Sequence, residues 1–112
     1  SGRCEDARLR FGLRADCYAD FDHMLETVRP DLVIVVVPEN QHADLIVKAF
    51  AAGCDVATEK PLCTTAEDAA RILEAERSSG KRLFMGFNYR HIPLCTKIRA
   101  VIQDGAIGTP VS

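Results

Sequence analysis

The 112-residue sequence has no hydrophobic run long enough to cross a bilayer. Its longest, Leu32 to Val37, has six residues, against roughly 20 for a spanning helix. No basic-then-apolar leader stands at its first residues, so neither membrane insertion nor membrane targeting is expected. It has no excess of one charge: 14 Lys and Arg face 16 Asp and Glu, a net charge of -2. Nothing in that balance would attract a phosphate backbone, and nucleic acid is not an expected partner. Close cysteine pairs are also missing. Cys4, Cys17, Cys54, Cys63 and Cys95 form an odd, scattered set, which suggests neither a zinc knuckle nor a fully paired disulfide framework. Thiols of this kind fit a reducing cytosol, and a cytoplasmic location is expected. His23, His42 and His91 lie too far apart for the common helical metal spacings, and no metal is expected. There is no internal repeat, linker or low-complexity stretch. What remains, 47% hydrophobic and 27% charged residues, is the composition of one globular domain.

The apolar residues fall into two periodicities. Cys4, Ala7 and Phe11 have helical spacing and are followed by Gly12, which predicts a short helix with a left-handed stop. Asp16 to Tyr18 reads as a short strand, and Phe21 to Leu25 as a short helix ending before Pro30. Leu32 to Val37 is mostly β-branched, bounded by turn formers and too short for a buried helix. It predicts a strand buried on both faces, as in a parallel sheet covered by helices. Leu45, Ile46, Ala49 and Phe50 share one helical face, which Gly53 ends. A second strand, Asp55 to Thr58, runs into Glu59-Lys60-Pro61. Thr64 to Glu67 has capping-box form, and Ala66, Ala69, Ala70, Leu73 and Arg77 trace the inner stripe of a helix closing near Gly80. Leu83 to Phe87 reads as a third strand, Leu94 to Ile102 as a last helix, and Thr109 to Ser112 as the first residues of another extended element. Strands and helices alternating with short connections predict an α/β layer.

In open parallel sheets, ligands bind outside the carboxyl ends of the strands, where loops and helix amino-termini converge. All three strands end in polar clusters: Pro38-Glu39-Asn40-Gln41-His42, Glu59-Lys60-Pro61 and Asn88-Tyr89-Arg90. Three such ends in succession point to one shared site.

Taken with their spacing, Val36 to His42, Gly53, Thr58 to Leu62, Gly86 to Arg90, Pro93 and Asp104 to Gly108 resemble the amino-terminal half of the Gfo/Idh/MocA oxidoreductases, the glucose-fructose oxidoreductase and inositol dehydrogenase family. The resemblance covers essentially the whole chain. It implies a Rossmann-like doubly wound sheet that binds NAD or NADP, a second α/β domain carrying much of the substrate site, and reversible hydride transfer to or from a carbon of a sugar, amino sugar or cyclic polyol. It implies no nucleic-acid or membrane partner, and a homo-oligomer for the full-length enzyme.

Transferred residue by residue, the resemblance makes Lys60 catalytic, lying between nicotinamide and substrate. A lysine ammonium there can hydrogen-bond the reacting hydroxyl and stabilise negative charge on its oxygen. Glu59 holds either the lysine or the nicotinamide ribose side of the cofactor, or is a solvated carboxylate. Pro61 fixes the backbone where the strand leaves the sheet. Pro38, Asn40 and His42 are cofactor-binding candidates, although the common family form has Thr and Asn where this sequence has Val37 and Glu39. Asn40 or Gln41 can cap the following helix, and His42 is either a helix-start residue or a cofactor ligand. Tyr89 and Arg90 border the nicotinamide and substrate, with a hinge salt bridge as the alternative for Arg90. His91, Cys95 and Cys63 read as structural.

The family's glycine-rich phosphate loop, G-x-G-x-x-G, does not occur in this sequence, nor does the acidic residue that would select the adenosine ribose. The chain is therefore expected to be an internal slice of a longer enzyme. Residues 1–108 would be part of the NAD(P)-binding domain and 109–112 the start of the substrate domain. The first two strands and the substrate domain would be missing. The alternatives are a redox-assisted glycosidase of the same family and a non-catalytic ligand-sensing or interaction protein on the same scaffold.

Overall fold

The structure, a computed structural model, describes residues 2–111. In chain order it contains α1 (Gly2–Phe11), α2 (Phe21–Val28), β1 (Leu32–Val35), α3 (His42–Ala51), β2 (Asp55–Thr58), α4 (Ala66–Ser79), β3 (Leu83–Met85) and α5 (Pro93–Gln103). Short 3-10 turns occupy Glu39–Gln41 and Asn88–His91. The strands form one parallel sheet in the order β1-β2-β3. Val35 lies beside Thr58 and Thr58 beside Met85, so the three carboxyl ends share one edge.

The core lies on one face of this sheet. Val33, Val35 and Val56 point into it, and α3 covers them with Ile46, Ala49 and Phe50. α4 packs along α3 and adds Ile72, while α2 adds Leu25. Local chemistry sets the limits of these helices. Asp20 caps α2 by accepting the His23 amide at 2.7 Å. The Thr65 hydroxyl caps α4, accepting from the Asp68 amide at 3.1 Å and donating to the Asp68 carboxylate at 2.9 Å. Gly53, with φ +81°, and Gly80, with φ +66°, provide the left-handed residues that follow α3 and α4.

Three ion pairs join neighbouring elements: Lys48–Asp22 at 2.6 Å, Arg71–Asp44 at 2.7 Å and Arg82–Asp55 at 2.6 Å. Hydrogen bonding to Asp22 raises the Lys48 pKa, and hydrogen bonds from Arg82 lower that of Asp55. Such exposed pairs set register more than they stabilise. Burial pushes the Cys54 thiol up, as befits a core residue.

Several expectations are corrected. No strand forms at residues 16–18; among the described residues β1 is the edge of the sheet on that side. β1 is buried on one face only, and Leu32, Ile34 and Val36 are exposed on the other side. The cap sits one residue later than expected, at Thr65, and is not a capping box, since the Asp68 carboxylate accepts from the Thr65 hydroxyl and not from its main-chain amide. The inner stripe of α4 runs through Ala69, Ile72 and Ala75, whereas Leu73 is 44% exposed. α3 has no side-chain cap from Gln41; the turn at Glu39–Gln41 leads directly into it. Residues 109–111 form no regular element, and position 112 lies outside the described residues.

The scattered-thiol reading also changes. Cys4 and Cys17 form a disulfide, with Cα atoms 6.1 Å apart. Gly12, with φ +61°, follows α1 and lets the chain double back, so that residues 13 apart in sequence meet. Cys54, Cys63 and Cys95 remain free. Among the described residues, no helix is long and apolar enough to cross a membrane, and no cluster of potential metal ligands occurs.

The two candidate stripes of α4 separate in a stability measurement. Ile72→Ala, at a fully buried position, is expected to lower unfolding free energy by about 2–5 kcal/mol. Leu73→Ala should cost less than about 1 kcal/mol. Urea unfolding midpoints of the two variants check the assignment.

Candidate functional site

The main-chain ladders end together at the carboxyl edge. The last bond between β1 and its neighbour runs from the Glu59 amide to the Val35 carbonyl at 3.3 Å, and the Gly86 amide donates to the Thr58 carbonyl at 2.8 Å. Beyond these bonds the three loops separate, and the polar clusters begin.

His42, the first residue of α3, sits between two of these loops and is 1% exposed. Its Nδ1 lies 2.8 Å from the Pro61 carbonyl oxygen and its Nε2 3.0 Å from the Val37 carbonyl oxygen. Both neighbours are acceptors, so a neutral ring donates to one and an imidazolium donates to both. The Thr58 hydroxyl stands 3.5 Å from Nδ1. Of the two readings of His42, the helix-start residue fits this geometry, with its ring buried and both nitrogens facing main-chain carbonyls.

The second and third polar clusters converge. Glu59, Lys60, Gly86, Phe87, Asn88, Tyr89 and Arg90 line one groove of about 200 Å³. Lys60 is exposed, and among the described residues its ammonium has no carboxylate partner. The Glu59 carboxylate accepts instead from the Lys60 main-chain amide at 3.3 Å. The Lys60–Pro61 peptide is cis. Tyr89 and Arg90 stand on the 3-10 turn at Asn88–His91, with the Arg90 amide donating to the Phe87 carbonyl at 3.0 Å. Arg90 forms no ion pair among the described residues.

Pro38 and Asn40 do not line this groove. They are exposed beside the turn that precedes α3, at the end of the neighbouring strand. Asn88, in the third polar cluster, lines the groove as that clustering implies, whereas Gly86 and Phe87 were not singled out as site residues. The signal was available, since they occupy the end of the third strand in the same run as Tyr89 and Arg90. Gly86 has room for a methyl and for little more. A Cβ there would lie 3.4 Å from the Thr58 carbonyl oxygen and 3.5 Å from the Glu59 carboxyl group. Cys63 fits its structural reading: it is partly buried against the core, with Sγ 3.4 Å from the Thr65 carbonyl oxygen.

Residues 1–87 match the model of an oxidoreductase family with an NAD-binding Rossmann fold, GFO_IDH_MocA. YteT of Bacillus subtilis (strain 168) is 45% identical over 92 residues, covering 82% of this chain and 22% of that protein. The inositol 2-dehydrogenase of Salmonella typhimurium (strain LT2) is 33% identical over 112 residues, covering 99% of this chain and 33% of that protein. Among solved structures, the WlbA dehydrogenase of Bordetella pertussis, in complex with NADH and UDP-GlcNAcA, superimposes with a TM-score of 0.82 at 25% identity. That match covers 90% of this chain and 29% of the WlbA chain. The chain thus spans a third or less of the length of these proteins.

The contact between Gly86 and Glu59 is testable on its own. Gly86→Ala places a methyl at ordinary contact distance and should change unfolding free energy by less than about 1 kcal/mol. Gly86→Val adds branches that meet the Glu59 carboxylate, with an overpacking cost of about 1–3 kcal/mol. Combining it with Glu59→Gly should recover most of that cost, a coupling read from urea unfolding of the single and double variants.

Proposed function

Because the chain belongs to the Gfo/Idh/MocA oxidoreductase family, with its NAD-binding Rossmann fold, we propose that it forms the nicotinamide side of the active site in a sugar or polyol oxidoreductase. The reaction is hydride transfer between NAD or NADP and a hydroxyl or ketone carbon of a sugar, amino sugar or cyclic polyol. The observation that carries this reading is the groove in which Lys60, Glu59, Tyr89 and Arg90 meet at the carboxyl ends of two adjacent parallel strands. The inositol 2-dehydrogenase relative and the WlbA complex with NADH and UDP-GlcNAcA support the substrate class. In this reading residues 1–108 belong to the NAD(P)-binding unit and 109–112 open a substrate unit, in keeping with relatives about three times as long.

The groove suits the nicotinamide end of a dinucleotide. The missing side chain at Gly86 keeps its floor open, and the exposed rings of Phe87 and Tyr89 offer flat apolar surface beside the cation of Lys60. Pro38 and Asn40 flank the amino-terminus of α3, whose free N-H groups favour the negatively charged part of the cofactor. A nicotinamide bound here supplies the carbon that gives or takes the hydride.

The Lys60 ammonium offers three N-H donors in the groove, and among the described residues no carboxylate competes for Nζ. It donates to the reacting oxygen, favours loss of the hydroxyl proton and stabilises the resulting negative charge. Glu59, held on the Lys60 main-chain amide, keeps a negative charge beside the cation without blocking it. Arg90, whose guanidinium has no ion pair among the described residues, binds substrate oxygens in this reading. The reading keeps the cytoplasmic location on the support of the three free thiols; the Cys4–Cys17 bridge pulls the other way.

Two variants of the complete protein that carries this chain test the reading. Lys60→Ala should lower turnover by ~10²-fold or more while dinucleotide affinity stays near wild type, measured by steady-state kinetics and cofactor titration. Turnover within about threefold of wild type would remove Lys60 from the reaction, since a lost transition-state donor costs far more. Arg90→Ala should weaken substrate binding more than dinucleotide binding. Parallel titrations in which the dinucleotide suffers more would place Arg90 on the cofactor instead.

A further inference from the structure

We propose that His42 is a positioning residue for Lys60: its ring ties the end of the β1 loop to the Pro61 carbonyl and fixes the backbone from which Lys60 enters the groove. The catalytic half of this proposal rests on the reading of Lys60 given above. The last main-chain bond between the two strands is Glu59 to Val35, at 3.3 Å. Past that point the chain continues through Lys60 and Pro61 on one side and through Val36 and Val37 on the other. Among the described residues the contacts that cross this gap are those of the His42 ring, whose Nδ1 lies 2.8 Å from the Pro61 carbonyl oxygen and Nε2 3.0 Å from that of Val37; the arm that matters for Lys60 is an Nδ1–H donating to Pro61.

The ring is itself rigidly held. His42 begins α3, whose Ala43, Ile46 and Phe50 are buried in the core. The ring is therefore a stay between the most deeply buried helix and the loop that carries Lys60. The Thr58 hydroxyl, 3.5 Å from Nδ1 and 3.3 Å from the Glu59 carbonyl oxygen, closes the same cluster from the β2 side. A transition-state donor displaced by about 1 Å can lose ~10²-fold in rate. Holding Pro61 thus matters to a lysine one residue away even though the imidazole never reaches the groove.

Asparagine and glutamine separate the two arms of the ring. His42→Asn retains an N-H donor near the place of Nδ1, facing Pro61. His42→Gln retains one near the place of Nε2, facing Val37. His42→Phe keeps a buried ring and removes both bonds. In the complete protein, His42→Phe and His42→Gln should lower kcat by about 10-fold to 100-fold with KM changed by less than about threefold, and His42→Asn should recover most of kcat. Hydrogen exchange provides a readout without catalysis. The Glu59 amide, whose bond to the Val35 carbonyl is the last between the two strands, should exchange about 10-fold faster or more in the Phe and Gln variants, while the amides of Ile46 to Phe50 stay protected.

Unchanged exchange at the Glu59 amide overturns the clamp, whatever Lys60 does. Equal recovery by Gln and Asn, or faster exchange throughout α3, overturns it in favour of a general packing role. If His42→Phe fails to fold, the Asn and Gln pair decides between the same outcomes. Wild-type turnover in Lys60→Ala would overturn the functional reading separately, because the exchange result does not depend on it.

Discussion

Burial of one helical face organises the molecule. Ile46, Ala49 and Phe50 of α3 are withdrawn from water against Val33, Val35 and Val56 of the sheet, and Ile72 of α4 closes the layer. Each fully buried apolar side chain contributes about 1.5–3 kcal/mol, far more than any of the exposed ion pairs at the periphery. The consequence reaches the groove through geometry. When α3 is seated, its first residue, His42, lies under the ends of two strands, and the strands are parallel and in register. The loops they release then have to emerge side by side. Lys60 and Arg90 meet because their strands are neighbours, although 30 positions separate them in the chain.

Much of this was legible in the sequence where local pattern and tertiary burial agree. The α3 face could be read from Leu45, Ile46, Ala49 and Phe50 because a helix with one apolar side has one way to face a core. The alternation of elements and the polar ends of the strands followed from composition and turn residues. The convergence of Glu59, Lys60, Tyr89 and Arg90 followed from the rule that parallel strands gather their sites at one edge. In α4 the rule failed. An alanine-rich helix has little contrast between its faces, and the position of its stripe was decided by which residue met α3, Ile72 rather than Leu73.

Other features depend on contacts that no local window contains. The alternating exposure of β1 depends on which elements stand on each side of the sheet, while the sequence states only that the strand can be buried. The two partners of His42 lie five residues before it and 19 after it, and both are main-chain carbonyls, which leave no trace in side-chain chemistry. A histidine among polar residues near a strand end therefore suggests a ligand, and only its burial reveals a brace. The Cys4–Cys17 pair was hidden for the same reason, since the chain reversal that joins them is a matter of path and not of spacing.

That bridge has a topological consequence. Residues 4 to 17 form a closed covalent ring, with Gly12 at its bend and most of α1 inside it. A single backbone cut within the ring opens it without releasing a piece, and the two new ends stay joined through sulfur. A cut after Cys17 separates everything before it from the layered core. The amino-terminal helix is thus fastened to the molecule twice, once by the peptide chain and once by a bond that a thiol can undo.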